Sequence, residues 1–211
     1  SEAIARAATR SIRVVYEPLD AILSIDDALN PDLPPIHDTG RRPSNITRRV
    51  HQHHGDVDSG FAEADLILES NYHYPGSTHM PLEAHAALAQ PLPEGRLKLW
   101  SSTQNPHYVH KTVARVLGMA EADIRLIKPA VGAGYGGKCD TFVTDLCASW
   151  LARKLDRPVR LELEREEVFY AHRGRHPTQM WVKMGMKDDG TITAIDFEAI
   201  ANGGAYASYG V

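Results

Sequence analysis

The chain of 211 residues is long enough for one sizeable core or two small ones, and 43% hydrophobic with 24% charged residues is typical of a globular protein. A net charge of −4 without a basic cluster argues against nucleic acid as a partner. No segment approaches the roughly 20 apolar residues of a membrane span, and the N-terminal residues lack the pattern of a signal peptide. We therefore expect a cytoplasmic protein without nucleic-acid or membrane partners.

Cysteine and histidine follow no metal-site pattern. The two cysteines, Cys139 and Cys147, have a spacing that fits neither a disulfide framework nor a C-x-x-C metal site. The segment VHQHHGD (50–56) is rich in histidine, but no H-E-x-x-H motif or carboxylate at ligand spacing accompanies it. We predict free thiols, a solvated loop at 50–56 and no metal ligands.

The first part of the chain predicts little structure of its own. Ser1 can cap a helix with an alanine-rich face, and the β-branched run at 12–15 predicts a strand. The stretch 30–44 is rich in proline and polar residues and has no hydrophobic period. We therefore predict that residues 1–29 end one domain, that 30–44 is a linker, and that 45–211 belongs to a second domain.

From residue 45 onward the sequence predicts helices mixed with strands. Strands are expected in LILESNYHYP, HAALAQPLP, RLKLWSST, DIRLIKPAV and RPVRLELE, and a long hairpin is expected to turn at Asp189-Gly190. Helices are expected in DSGFAEAD, from Pro106 to Gly118, and over 141–155. This mixture predicts an α+β fold, with mixed sheets, antiparallel hairpins and packed helices, rather than a regular β-α-β array.

The segment VGAGYGGKCD (131–140) joins a predicted strand to a predicted helix and is unusually rich in glycine. Gly132, Gly134 and Gly137 match the G-x-G-x-x-G of a dinucleotide site. Residues 132–138 also match the G-x-x-x-x-G-K of a nucleotide phosphate loop. A third alternative is that the glycines only permit a tight turn.

Each nucleotide-binding alternative conflicts with one feature of the sequence. A predicted βαβ unit at 123–164 favours a dinucleotide site, but a Rossmann half continues with a further helix and parallel strand where this chain has an antiparallel hairpin. The phosphate loop needs a Ser or Thr hydroxyl after its lysine, because Mg²⁺ prefers oxygen ligands, whereas Cys139 supplies sulfur.

Several blocks of the sequence together resemble one family. They are HMPLEAHAALAQP, SSTQNPH, IRLIKPAVGAGYGGKCD, RPVRLELEREEVFYAHRGRHPT and DDGTITAIDFEAIANGGAYASYG. In this order they resemble the molybdenum-carrying large subunit of the xanthine dehydrogenase and aldehyde oxidase family. The blocks REEVFYAHRGRHPT and GGAYASYG are most similar to the hydroxybenzoyl-CoA reductase branch.

The resemblance implies a molybdopterin cofactor, usually the cytosine dinucleotide in bacteria, that carries molybdenum. Enzymes of the family hydroxylate an electron-poor carbon with water, or reverse this on an aryl thioester, and pass electrons to iron–sulfur and FAD centres on partner subunits or domains. Residues 1–29 then resemble the end of a hammerhead-like α/β domain, and 45–211 the N-terminal part of a molybdopterin-binding domain. The implied partners are the iron–sulfur and FAD subunits, the rest of the molybdenum subunit, and an aryl-CoA, aldehyde or N-heterocycle substrate.

The same resemblance assigns the glycine loop to the cofactor. Gly134, Tyr135, Gly136 and Gly137 are expected to bind it, with the Tyr135-Gly136 pair close to the apical oxo ligand of the molybdenum. Glycines without a Cβ would let the backbone N–H groups reach an oxo or phosphate oxygen.

Two departures from the family pattern concern the substrate pocket. Ser77 stands near the place of a family glutamine, and Cys139 replaces the glutamate of purine-oxidising members, which disfavours a purine substrate.

The family's general base is a glutamate in a Gly-Glu block that we expect beyond Val211. The resemblance therefore implies a molybdopterin-dependent oxidoreductase that works as a heteromer, and a 211-residue fragment that is inactive alone. The alternative function is a nucleotide-binding module that uses loop 132–138 for NAD or NTP phosphates.

Overall fold

The computed structural model describes residues 1–37 and 44–207. They fall into two compact units, one ending at His53 and one beginning at His54. The helices are α1 (Glu2–Ser11), α2 (Ile25–Leu29), α3 (Val57–Ala62), α4 (Pro106–Leu117), α5 (Val143–Leu155) and α6 (Arg165–Ala171). The strands are β1 (Leu66–Tyr74), β2 (Ala86–Pro91), β3 (Leu97–Ser101), β4 (Ile124–Ile127), β5 (Val159–Glu162), β6 (Thr178–Met186) and β7 (Ile192–Ala201). Within these described residues, no helix has the length and apolar character to cross a membrane.

The described part of the first unit contains two short helices, each capped by a serine. Ser1 Oγ accepts the Ile4 N–H at 3.4 Å, and Ser24 Oγ accepts the Asp27 N–H at 2.9 Å. These hydroxyls satisfy N–H groups that have no partner inside the helix. The strand predicted at 12–15 is wrong, because this exposed segment pairs with no strand in the described part of the chain. An extended segment without a partner leaves its backbone groups to water and forms no sheet.

The larger sheet of the second unit has the strand order β4-β3-β2-β5. β3 and β4 are parallel neighbours, and β2 runs antiparallel to both β3 and β5. The strands β4 and β5, which the sequence predicts to flank one βαβ unit, therefore lie at opposite edges of the sheet. The βαβ unit with adjacent strands is instead β3-α4-β4. This order does not place paired parallel strands on both sides of the glycine loop, as a Rossmann site requires.

The core lies between this sheet and the helices α4 and α5. Its buried members are Ala87, Ala89, Leu97, Leu99, Val109, Val113, Ala114, Ile124, Ala148 and Ala152. Alanines on α5 and β2 let the helix approach the sheet closely, while the larger valines and leucines fill the space toward α4. As predicted, α4 begins at Pro106 and ends at Gly118, whose φ of +62° forms a left-handed C-cap. The core thus fixes both ends of the segment that carries the glycine loop.

The second sheet is antiparallel with the order β1-β6-β7, and α3 packs against it. The hairpin between β6 and β7 turns where the sequence predicts, but over three residues rather than two. The Lys187 N–H donates to the Thr191 carbonyl at 2.8 Å, and the Gly190 N–H donates to the Lys187 carbonyl at 2.9 Å. Gly190 has a φ of +86°, which glycine adopts without strain. Together the two sheets and their helices confirm the α+β fold with mixed sheets.

Helix α6 is an element that periodicity does not reveal. Its seven residues, REEVFYA, span too few turns to show a hydrophobic stripe. Its start carries a local signal, because the Glu167 carboxylate accepts the Glu164 N–H at 2.7 Å. The helix ends at His172, whose N–H donates to the Val168 carbonyl at 3.0 Å. The end of this helix places the His172 ring in the interior of the protein.

Candidate functional site

The glycine loop connects β4 to α5 and forms a tight turn centred on Tyr135 and Gly136. Their φ angles are +54° and +90°, both in the left-handed region. The Gly137 N–H donates to the Gly134 carbonyl at 2.7 Å and closes the turn. Tyr135 is 74% exposed and Gly136 is exposed, whereas Gly134 and Gly137 are buried. The loop therefore has an exposed crest at Tyr135-Gly136 and a buried base on either side of it.

Gln104, in the SSTQNPH block just before α4, holds the loop from behind. Its side-chain Oε1 accepts the N–H groups of Gly136 and Lys138, both at 3.1 Å. The Gln104 N–H in turn donates to the Lys138 carbonyl at 2.8 Å, and the Thr103 hydroxyl donates to the same carbonyl at 3.2 Å. These bonds satisfy the polar backbone of the buried base. Together these hydrogen bonds fix the turn to the start of α4.

Lys138 is turned away from the crest and into the protein. Its side chain is fully buried, and Nζ lies 2.7 Å from Glu83 Oε1 and 3.4 Å from the Ala84 carbonyl. The other Glu83 oxygen accepts the Gly132 N–H. Burial by itself would raise the pKa of Glu83, but the Lys138 ammonium and the Gly132 N–H outweigh burial and hold the pKa below its usual value. A phosphate-loop lysine must reach a phosphate, which this paired lysine does not do.

Three histidine rings lie behind the buried base. The ring centroids of His79 and His172 are 4.8 Å apart, and those of His85 and His172 are 5.0 Å apart. The His85 ring stacks at 4.0 Å on Phe142, the residue that precedes α5. Burial, aided by the neighbouring His172 and Lys138, lowers the pKa of His85 to about 4. His85 is therefore neutral at physiological pH and acts as part of the packing.

At three positions of the loop, a Cβ would displace a side chain that packs against the glycine. A Cβ at Gly132 would lie 2.5 Å from Glu83 Oε2, and a Cβ at Gly134 would lie 2.4 Å from Gln104 Oε1. These packing contacts are a reason for glycine beyond the two that the sequence indicates, which are a close ligand and a tight turn.

The remaining contact of this kind is made by Gly137, where a Cβ would lie 2.2 Å from both Cε1 and Nε2 of His172. Gly136 is different, since the nearest atom to a Cβ there is His79 Nε2 at 3.8 Å. Glycine at 136 is needed for its φ and not for lack of space. Of the four residues predicted to bind the cofactor, Tyr135 and Gly136 therefore face outward, and Gly134 and Gly137 support them.

The two residues predicted for the substrate pocket lie in different surroundings. Ser77 is exposed and forms an isolated antiparallel bridge with Arg175, with N–H to carbonyl distances of 2.7 and 3.3 Å. Its hydroxyl lies 2.6 Å from the Tyr74 hydroxyl. Cys139 directly follows Lys138 and is partly buried. Burial and the neighbouring Asp140 carboxylate raise the pKa of the Cys139 thiol, so the thiol is protonated at neutral pH.

Beyond the loop, an ion pair joins it to the segment after α6. Arg173 Nη1 lies 2.5 Å from Asp140 Oδ2. Arg173 also lines a cavity of about 390 Å³ formed by residues 173–177 and 202–207. In the described ranges, no group of three histidine, cysteine, aspartate or glutamate side chains is arranged to hold a metal ion. The histidines at 51, 53 and 54 are exposed and lie in irregular structure.

Gln104 and His172 belong to the site, although they are not among the residues predicted from the sequence. Gln104 lies within a block that carries the resemblance, immediately before the α4 cap, and this position is the signal that could have found it. His172 had no such signal, because its role depends on the end of an unpredicted helix. Glu83 and His85 are structural contacts of the site, since Glu83 pairs with Lys138 and the His85 ring stacks on Phe142.

Comparison with known proteins gives a family match. Residues 36–211 match the family described as the molybdopterin cofactor-binding domain. The large molybdopterin subunit of nicotinate dehydrogenase from Eubacterium barkeri is 36% identical over 98% of this chain and 48% of its own length. The probable hypoxanthine oxidase XdhD of Escherichia coli is 34% identical over 99% of this chain and 25% of its own length. The chain thus spans about a quarter to a half of these curated relatives.

Solved structures share the fold. Quinoline 2-oxidoreductase from Pseudomonas putida has a TM-score of 0.87 at 28% identity, over 98% of this chain and 26% of its own. The aldehyde oxidoreductase of Desulfovibrio gigas has a TM-score of 0.83 at 26% identity, over 95% of this chain and 22% of its own. The second unit and its glycine loop are therefore similar to a quarter of much longer oxidoreductase chains.

Proposed function

Because the chain belongs to the family of molybdopterin cofactor-binding domains, we propose that its glycine loop forms one wall of the cofactor site in the large subunit of a molybdenum hydroxylase. The observation that carries this proposal is the exposed crest at Tyr135-Gly136, held rigidly from behind by Gln104 and by the Lys138-Glu83 pair. A fixed, outward-facing backbone at positive φ is suited to lie against a bulky ligand.

Two backbone N–H groups of the loop are also available to a cofactor oxygen. In the described part of the chain, the N–H groups of Gly134 and Tyr135 have no hydrogen-bond partner, whereas those of Gly136, Gly137 and Lys138 do. When bound, the molybdenum cofactor would supply two-electron redox chemistry and transfer of oxygen from water. The loop would hold and orient it, with Ser77 and Cys139 toward the substrate.

The named relatives narrow the proposed substrate. Three proteins similar to this chain are named after nicotinate, hypoxanthine or quinoline, and all three compounds are aromatic N-heterocycles. We therefore place an N-heterocycle ahead of an aldehyde or an aryl-CoA thioester, which reverses the order that the hydroxybenzoyl-CoA reductase resemblance favours. The protonated thiol at Cys139 offers no anion to a heterocycle, so we expect a substrate bound mainly by stacking and by residues of other segments.

The rest of the proposal concerns parts outside this chain. We propose the cytosine dinucleotide form of molybdopterin, a general-base glutamate elsewhere in the complete subunit, and iron–sulfur and FAD partners that receive the electrons. We also propose that residues 1–29 belong to a preceding hammerhead-like domain, joined by a linker at 30–44 to the cofactor-binding domain at 45–211. On this proposal the 211-residue chain alone has no turnover.

The nucleotide-binding alternative is not favoured. It needs Lys138 at a phosphate, but Lys138 is fully buried and paired with Glu83. Equilibrium dialysis of the 211-residue chain with NAD and with ATP tests this directly. We expect no binding of either nucleotide, and saturable binding would support the alternative.

The proposed function is tested on the complete subunit, produced together with its redox partners. We expect equimolar molybdenum in the purified wild-type protein and a loss of most of it in Gly136→Val, whose branched side chain is incompatible with a φ of +90°. Gly190→Val is the matched control, because it has a similar φ of +86° in the β6-β7 turn, away from the loop. Full molybdenum in Gly136→Val, or equal loss in both variants, would argue against the proposed site.

A further inference from the structure

The His79-His172 pair beneath the glycine loop has a defined arrangement of hydrogen atoms. His79 Nδ1 lies 2.9 Å from the Arg173 carbonyl oxygen, which can only accept a hydrogen bond. His79 therefore carries its proton on Nδ1. The same atom lies 3.3 Å from His172 Nδ1. We infer that His172 Nδ1 accepts from the same N–H, which places the His172 proton on Nε2.

The proton-bearing edge of His172 is directed at the loop. Cε1 and Nε2 are the atoms that a Cβ on Gly137 would meet at 2.2 Å, so this edge lies against the Gly137 backbone. The ring is 8% exposed, and its Nε2 has no hydrogen-bond partner in the described part of the chain. His79 Nε2 lies near the next residue, 3.8 Å from where a Gly136 Cβ would be. The two rings thus set how deep the base of the loop can sit.

The groups that face this pair act on the charge of His172 in both directions. From β2 the neutral His85 ring approaches His172 at 5.0 Å, and from the loop comes Lys138, whose charge is paired with Glu83. From the segment after α6 comes the Arg173 carbonyl, bonded to His79. Burial, together with His79 and Lys138, lowers the pKa of His172 and outweighs the Arg173 carbonyl, which raises it. A second proton on His172 would also place an N–H against the N–H of His79.

We propose that His172 and His79 act as positioning residues for the cofactor loop: as a pair with fixed tautomers, they hold the Gly136-Gly137 backbone in the position in which the crest contacts the cofactor. The inference rests on the proposed function only for what the crest binds. The coupling between the ring pair and the loop is a property of this chain alone. Protonation of His172 would break the contact with His79 and displace the loop.

The tautomers and the coupling are measured by NMR on the 211-residue chain with ¹⁵N-labelled histidine and glycine. At neutral pH we expect an Nε2–H tautomer for His172 and an Nδ1–H tautomer for His79. On acidification, the Gly136 and Gly137 amide signals should shift with the same midpoint as the His172 ring. The proposal would be overturned by an Nδ1–H tautomer at His172, or by Gly136 and Gly137 amide signals that do not shift with its titration.

Variants separate positioning from bulk packing. His172→Phe keeps a flat ring but no acceptor and no titration, so the pH response of the Gly137 amide should disappear while the fold is retained. His172→Asn keeps an acceptor toward His79 but little volume, and His107→Asn on the exposed start of α4 is the control.

In the complete subunit we expect a several-fold loss of molybdenum in His172→Asn and none in the control. Unchanged molybdenum and unchanged amides in His172→Asn would refute the proposal. A wild-type subunit without molybdenum would refute the proposed function and leave the NMR result standing.

Discussion

The ammonium group of Lys138 lies 2.7 Å from the Glu83 carboxylate at the base of the glycine loop, and the Lys138 side chain is fully buried. Glu83 also accepts the Gly132 N–H, so one carboxylate joins both ends of the loop. Removing one member of a buried pair leaves an uncompensated charge and costs about 3–5 kcal/mol. We expect Glu83→Gln to lower the free energy of unfolding by the lower part of that range, because Glu83 is itself partly exposed. Urea denaturation measures the change.

Two further variants control this experiment. Lys187 and Glu63 form an exposed pair at 3.6 Å, so Glu63→Gln should change stability by less than about 1 kcal/mol. Adding Lys138→Met to Glu83→Gln should recover part of the loss, since no buried charge then remains. A Glu83→Gln effect no larger than that of Glu63→Gln would show that the pair does not anchor the loop.

Gly136 at the crest is required for its backbone angle. A Cβ there would have open space, but its φ of +90° lies in the region that L-residues avoid, at a cost of about 1–2 kcal/mol. We expect Gly136→Ala to be destabilised by that amount in thermal unfolding. Gly190→Ala, at φ +86° and also in open space, should lose a similar amount. An unchanged unfolding midpoint in Gly136→Ala would mean that the turn relaxes to another conformation.

Gln104 accepts two backbone N–H groups of the loop through one oxygen. Gln104→Ala leaves the Gly136 and Lys138 N–H groups without that acceptor. The exposed Gly136 N–H can bond water, whereas Lys138 is buried, and an unsatisfied buried group costs about 1–3 kcal/mol. Gln104→Glu keeps an oxygen in the same place and should retain most of the stability. Amide hydrogen exchange at Gly136 and Lys138 is the direct measurement, and we expect it to accelerate in Gln104→Ala. Equal exchange in both variants would contradict the role assigned to this side chain.

His85 predicts a dependence of stability on pH. Its pKa is lowered from 6.5 to about 4 by burial, aided by the neighbouring His172 and Lys138. Between these values the unfolded chain binds the proton and the folded chain does not, so stability is full above pH 6.5 and falls as the pH decreases toward 4. We expect the urea midpoint to fall over this window, and to fall less steeply in His85→Phe, which keeps the contact with Phe142. Parallel curves for the two proteins would contradict this assignment.

The long elements of the second unit could be predicted from sequence because their signals are local. The helix from Pro106 to Gly118 has a proline start, an apolar stripe and a glycine stop, and the structure has all three. The strand predicted at 12–15 is wrong because a strand depends on a non-local partner. The β-branched residues favour an extended chain but cannot supply the partner strand that makes a sheet. Helix α6 was missed because seven residues carry too little periodicity.

The sequence by itself determined that the segment 131–140 is a tight, glycine-rich turn between a strand and a helix, because glycine content and the flanking patterns are local properties. Only the tertiary structure decided what each glycine is for. Gln104, Glu83 and His172 come from three other parts of the chain and approach the loop so closely that a Cβ at Gly134, Gly132 or Gly137 would displace them. Contacts between residues far apart in sequence arise from the packing of the sheet and helices, and no local pattern encodes them.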